Sequence, residues 1–521
     1  MIEVEVHQQL RQLLRQLPDA GWPHQLTMAR MVARGLRLGR STLIQVPSGG
    51  QHRLSYLLPA LMWPHGTLLC APVPVQAQIL GEEIPWLQQT LQLHKPVLQK
   101  DRWPDADFQG LLLVDPLDWL QARLRGAEMP TGIPLILDGA EDLEEWAYQA
   151  LTLTIEANHW QQLRQIFPAE AERISQAQVQ LALQLLRRPL SRCLVQADEQ
   201  VHLEVALSLV AGYRGWLPDP WDQLRRRLGA EGDPASRWVW WAETNRETGR
   251  LTLRHSPVAL HEWLAPIWAT QPVVIIGEAL DLDRQAESYR WRLGLPDLTP
   301  LRFSSGEEWI RSGGEPLPSL ALYLPWLPLP NSPLFREHLL QELKSLIAKA
   351  QGFVVVLVSD QPLQVQVGAA LAAEFGSRVR VNSPFRGEKG ILVCDWSYWL
   401  QHKASLPCPE LLAIATLPFP SMEDPRVAAR VQYLQRSRQD WFRQYLLPVA
   451  ASQLQRAVAP LRQGSEVAEA TGLPQRWVAI LDSRIIARSY GVALLNALGP
   501  TLRIQQPSQL FNQSQAEPGL S

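Results

Sequence analysis

Two blocks of short apolar runs constrain what this chain can fold into. In the first, "TLIQV" (42–46), "TLLCAPV" (67–73), "GLLLVD" (110–115) and "PLILDG" (134–139) are short and end at turn-forming residues. In the second, "FVVVLVSD" (353–360), "RVRVNS" (378–383), "GILVCD" (390–395), "LLAIATLPF" (411–419) and "WVAILDS" (477–483) repeat the pattern. Helical stretches such as "VQAQILGEEIPWLQQTLQL" (75–93) separate them. Strands apolar on both faces, joined by helices, make parallel sheets covered on both sides. The expected class is α/β, with two parallel-sheet domains. A chain of 521 residues is too long for one core in any case.

Between the blocks the character changes. Residues 148–235, including "HWQQLRQIFPAEAERISQAQVQLALQLLRRPL" (159–190), read as a helical insertion in a first domain that begins at 1–147. The stretch "RWVWWAETNRETGRLTLRHSP" (237–257) reads as a hairpin turning at "NRETGR". It opens the return to the first domain, 236–310, and "PVVIIG" (272–277) is expected to rejoin the first sheet. "RSGGEPLPS" (311–319) reads as a linker, 320–503 as the second domain and 504–521 as a disordered tail. The first 18 residues read as an amphipathic helix rather than a signal peptide. No apolar run approaches the roughly 18 residues a membrane span needs.

Net charge is −2, so no global basic field announces nucleic acid, and any such binding must use a local patch. Only six of the 49 basic residues are lysines. The 21 tryptophans are open to two readings, core packing and base stacking. Cys70, Cys193, Cys394 and Cys408 show no C-x-x-C spacing, which argues against a zinc ribbon, an iron–sulfur cluster and a disulfide framework. A reducing cytoplasm fits. No G-x-S-x-G, H-E-x-x-H or dinucleotide-type glycine motif is present.

The stretch "QVPSGGQHRLSYLLPA" (45–60) runs from an apolar strand through a small-residue turn into an apolar helix. That is the layout of a phosphate loop, G-x-x-x-x-G-K-[ST], but the lysine is missing. Here the chain resembles the DinG/XPD-type ATP-dependent DNA helicases, which are built from two RecA-like domains. The resemblance runs from about residue 22 to 500. It is most specific over "CDWSYWLQHKASLPCPELLAIATLPFPSMEDPRV" (394–427) and "VAILDSRIIARSYGVALLNALGP" (478–500).

Aligned on "YLLPA" (56–60), the resemblance places Ser48, Gly49 and Gly50 in the loop, His52 on the lysine and Arg53 on the Mg²⁺-binding hydroxyl. It implies that Gln25 meets adenine and that Asp138 is the Mg²⁺-ordering aspartate of a DEAH motif. Gly139 and Glu141 replace that motif's glutamate and histidine. Gly277 and Glu278 stand where the family has Ser and Ala. Arg456 replaces the glutamine of Q-G-x-G-R, Pro460 replaces its arginine, and Arg462 lies nearby. The helical insertion falls where the family carries its arch domain.

Phosphate neutralisation, Mg²⁺ ligation, water activation and transition-state charge each lose a residue, and such groups act as a unit. The expectation is a helicase-like protein that binds single-stranded nucleic acid with lost or very weak ATP hydrolysis. ATP and Mg²⁺ are its possible ligands. Trp396, Tyr398 and Trp399 are candidates for contacting the strand, or else for packing the core. An active helicase with unconventional residues and a protein-interaction scaffold are the alternatives.

Overall fold

Every apolar run of the first block becomes a strand of one all-parallel sheet. A computed structural model describes residues 1–16, 22–47, 52–126, 132–229, 237–295, 298–303, 320–384, 387, 389–462, 476–499 and 501–505. Ser48, Gly49, Gly50, the 311–319 stretch and the tail beyond 505 lie outside the described residues. The first sheet holds β1 (Thr42–Val46), β2 (Thr67–Cys70), β3 (Val97–Gln99), β4 (Leu111–Val114), β5 (Leu135–Asp138), β10 (Val273–Glu278) and β11 (Thr299–Arg302). Their order across the sheet is 11-1-10-5-2-4-3. The "PVVIIG" run does rejoin this sheet, as β10 between β1 and β5.

The second block makes a second all-parallel sheet. Its members are β12 (Leu320–Tyr323), β13 (Val354–Leu357), β14 (Val379–Val381), β15 (Ile391–Cys394), β16 (Leu411–Ile414), β17 (Trp477–Ile480) and β18 (Thr501–Ile504). They run in the order 14-15-13-16-17-12-18. Aspartates start several of the connecting helices. Asp115, Asp360, Asp395 and Asp424 each accept a first-turn backbone N–H, at 2.7–2.9 Å. Such caps satisfy donors that a helix start leaves unpaired.

The insertion is more than helices. The expected hairpin forms as β8 (Trp238–Asn245) and β9 (Arg250–Pro257), but neither strand joins the first sheet. It pairs with β6 (Leu153–Ile155) and β7 (Arg192–Leu194) in an antiparallel sheet ordered 6-9-8-7. Residues 237–257 therefore belong with the insertion by strand pairing. Helices Ala157–Ile166, Ala171–Leu186, Ala197–Gly212 and Trp221–Leu228 complete this subdomain. It shares one core that includes Trp160, Trp221 and Trp240.

Tryptophans dominate the largest fully buried side chains: Trp119, Trp221, Trp399 and Trp477. Trp399 lies on the helix Trp396–His402, and its indole N–H donates to the Ala457 carbonyl at 3.1 Å. Trp396 is buried in the same core. Tyr398 is half-buried and stacks on His402, with ring centroids 4.2 Å apart. The indole faces of Trp396 and Trp399 are covered by protein, which leaves no room there for a base. Among the described residues no helix is long and apolar enough to cross a membrane. Trp399→Ala should cost about 3–5 kcal/mol in urea unfolding; an unchanged midpoint would refute the packing role.

Candidate functional site

Parallel strands send their carboxyl ends the same way, and ligands of such sheets gather there. In register, Ile276 of β10 pairs with Asp138 of β5, and Val46 of β1 with Glu278 of β10. The ends of these three neighbours bring His52, Asp138 to Asp142, and Glu278 to one edge of the domain.

The helix Leu54–Met62 starts just after His52 and carries Tyr56 one turn further on. Both side chains converge on Asp138. His52 Nε2 lies 3.2 Å from Asp138 Oδ1, and the Tyr56 hydroxyl donates to Oδ2 at 2.7 Å. The Gly139 N–H donates to Oδ1 at 3.1 Å. All three side chains are buried. Burial works against a charge on either His52 or Asp138, yet their mutual hydrogen bond and attraction win. The His52 pKa is raised and the Asp138 pKa lowered. Burial, with the neighbouring carboxylate, keeps the Tyr56 phenol well above its ordinary value, so it remains a donor. The group is a hydrogen-bonded His–Asp pair, its charged forms favoured by the mutual contact, closed by a neutral tyrosine.

Arg53 turns away. Its guanidinium donates to Glu83 at 2.8 Å and Gln78 at 2.7 Å. Gln25 is buried in the first turn of the helix Gln25–Leu38. Gly139 has φ +85°, a conformation that suits glycine and strains the glutamate of a DEAH motif. Gly277 leaves no room for a side chain: a Cβ there would sit 2.9 Å from Ala140 Cβ and 3.0 Å from the Glu141 nitrogen. That closeness lets Glu141 Oε2 accept the Glu278 N–H at 2.9 Å, and burial pushes the Glu141 carboxyl up to about 7.

Mg²⁺ takes oxygen ligands in a near-octahedral shell and keeps several waters. Here the aspartate that would order it is clasped by an imidazole and a phenol, and position 139 offers no carboxylate. The described residues do not fit a Mg²⁺–nucleotide centre. Nor does Arg462 reach the cleft. It turns into its own domain, to the carbonyls of Leu498 and Gly499. Arg456, one and a half turns earlier, crosses to Asp142 instead, at 2.9 and 3.2 Å.

A second concave feature lies between the insertion and the second domain, with a volume of about 2000 Å³. On its second-domain wall Phe419, Phe442 and Tyr490 form a ring cluster with centroids 5.0–5.6 Å apart. Arg484 lies over Phe419 at 5.6 Å. Arg192, Arg246 and Arg250 face it from the insertion. Five arginines and six carboxylates line this cavity, so it is aromatic and mixed in charge rather than basic.

No protein-family model matches the chain. The ATP-dependent DNA helicase YoaA of Escherichia coli (strain K12) is 24% identical over 352 residues, 64% of this chain and 51% of that one. The chain thus spans about half the length of this curated relative. Among solved structures, an XPD helicase superimposes with a TM-score of 0.60 at 11% identity, covering 92% of this chain and 99% of the other. An Xpd4 from S. tokodaii gives 0.56 at 14% identity, covering 90% and 98%.

The fold is XPD-like. Two all-parallel α/β domains are the shared architecture. On this XPD-like frame, the resemblance put His52, Arg53 and Asp138 at a nucleotide site, without the side-chain partners that the fold gives them. Tyr56 served only to anchor an alignment, although a tyrosine four residues after a histidine on one helix face was a usable signal. Arg456 had been read merely as a replaced glutamine, and Glu144 and Arg430 carried no signal at all.

His52→Asn tests the clasp. A raised histidine pKa gives stability that is whole below the ordinary value of about 6.5 and is lost as pH rises through the raised one. A lowered aspartate pKa gives stability present above about 3.9 and lost as pH falls. The melting temperature of wild type should exceed that of His52→Asn most between about pH 4 and 6.5, with the gap narrowing toward alkaline pH. A gap constant to pH 9 would contradict the ion pair.

Proposed function

We propose that this protein is a nucleic-acid-binding pseudo-helicase: a two-domain helicase frame that holds a single strand and does not turn over ATP. One observation carries the reading. Where the resemblance puts the phosphate-binding lysine the chain has His52, and its imidazole is hydrogen-bonded to Asp138. A lysine there would present a mobile cation to terminal phosphates; a buried histidine already paired to a carboxylate presents none. The carboxylate is in turn withdrawn from metal ligation, and Gly139 cannot activate water.

The nucleic-acid half of the proposal is supported by the kinship with helicases and by the aromatic wall of the cavity. Successive bases stack on exposed ring faces with little regard to sequence. Because carboxylates in the cavity offset its arginines, stacking rather than phosphate attraction is the proposed source of affinity. The expected salt dependence is therefore shallow.

Purified protein should show no ATP hydrolysis above an Asp138→Ala control, with or without single-stranded DNA. A DNA-stimulated rate abolished in that control would instead support an active helicase with unusual chemistry. An oligothymidylate should bind, and Phe442→Ala with Tyr490→Ala should weaken it by roughly 10-fold or more, given about 1–3 kcal/mol per stacked base. Absence of any binding would favour a protein-interaction scaffold.

A further inference from the structure

The two parallel-sheet domains meet along a seam of opposite charges. Glu144, on the helix Leu143–Leu151 that follows β5, accepts Arg292 Nε at 3.0 Å from its own domain. It also accepts Arg430 Nη1, from the helix Pro425–Arg436 of the second domain. Arg430 is only 2% exposed. Its guanidinium lies 4.2 Å from the Tyr445 ring and within 3.3 Å of the Tyr148 hydroxyl. On either side of Glu144 stand two more pairs. Asp142 takes both arms of Arg456, and Glu145 takes Arg426 at 3.1 and 3.2 Å. Lys403, donating to the Arg456 carbonyl at 2.8 Å, sits 4.0 Å from Glu278. Arg292 also donates across the seam to the Gln444 carbonyl at 3.2 Å.

These contacts share one pattern. The carboxylates come from the carboxyl-end segments of the first sheet, and, Arg292 apart, the cations facing them come from the second domain. In a two-domain machine driven by a nucleotide, the ligand's phosphates draw the second domain's cations across the cleft, and closure follows ligand affinity. In this chain four carboxylates of the first domain already hold those cations. An incoming triphosphate would meet neutralised arginines and like charge.

We propose that the closed arrangement is the ground state without nucleotide, set by this ion-pair seam, so that the cavity beside it is preformed and indifferent to ATP. The indifference of the cavity rests on the nucleic-acid reading above; the closure does not. Arg430 and Arg292 hold the Glu144 carboxyl down at about 2 against burial that would raise it, which agrees with a charge built into the closed form. A buried pair of this kind adds little net stability over an apolar pair, but removing one partner penalises the closed state alone. There the survivor is buried and unpaired, whereas in an open form it is hydrated.

Small-angle scattering of the full chain tests this, read beside oligothymidylate anisotropy. The wild-type curve should superimpose with and without a non-hydrolysable ATP analogue and Mg²⁺, and the oligothymidylate affinity should be equal in both. Glu144→Gln should shift the radius of gyration upward. Asp142→Arg should do the same, and the exchanged pair Asp142→Arg with Arg456→Asp should restore the wild-type curve. The exchange carries the test if Glu144→Gln does not fold. Compaction of the wild type by the analogue would overturn the proposal. So would wild-type scattering from both Glu144→Gln and Asp142→Arg. A compact, nucleotide-insensitive chain that binds no oligothymidylate would uphold the seam and sink only the nucleic-acid reading.

Discussion

A carboxylate buried at the end of a parallel strand must be paired or protonated, and much of this cleft follows from how Asp138 meets that demand. Its two oxygens are taken by His52 and Tyr56, 86 and 82 residues earlier in the chain. That choice draws the first residue of a would-be phosphate site inward and makes the next helix part of the wall. It also leaves Arg53 to a separate partner, Glu83, in a half-buried pair. In the pseudo-helicase reading, a cation for phosphate and an anion for metal are replaced by one internal bond.

The same substitution of internal charge for ligand charge is repeated across the domain seam. Arginine suits it better than lysine would. The guanidinium stays charged when buried and grips a carboxylate with two arms, as Arg456 does on Asp142, while Arg426 reaches both oxygens of Glu145 through Nη1. A chain with few lysines and many arginines is equipped to tie its own domains together. The cleft and the seam thus share one feature: basic side chains close to carboxylates of the first domain.

Much of the fold was legible because its strands are apolar on both faces, and such runs announce themselves in any window of five residues. Apart from β12, which is apolar and buried, the strands that escaped reading were of other kinds. β3, β11 and β18 are short and partly exposed at or near sheet edges, and β6 and β7 are three residues each. Without β6 and β7 the hairpin at 237–257 had no visible partner, so it was placed with the returning part of the first domain rather than with the insertion's strands. Tryptophan was the reverse case: Trp399 invited a base-stacking role from composition, and burial in the second-domain core gives it a packing one.

By itself the sequence displayed the two parallel sheets and, aligned on the family it resembles, His52, Arg53 and Gly139 where that family has a lysine, a hydroxyl and a glutamate. These are statements about local periodicity and residue type, which a linear chain displays. Only the tertiary structure decided that His52 and Asp138 are partners, that Arg456 crosses to Asp142, and that Glu144 is held by Arg430 from 286 residues away. The physical reason is that a buried charge is compensated by whatever opposite charge the packed chain brings near. That proximity is a property of the fold, with no trace in the spacing of the residues along the chain.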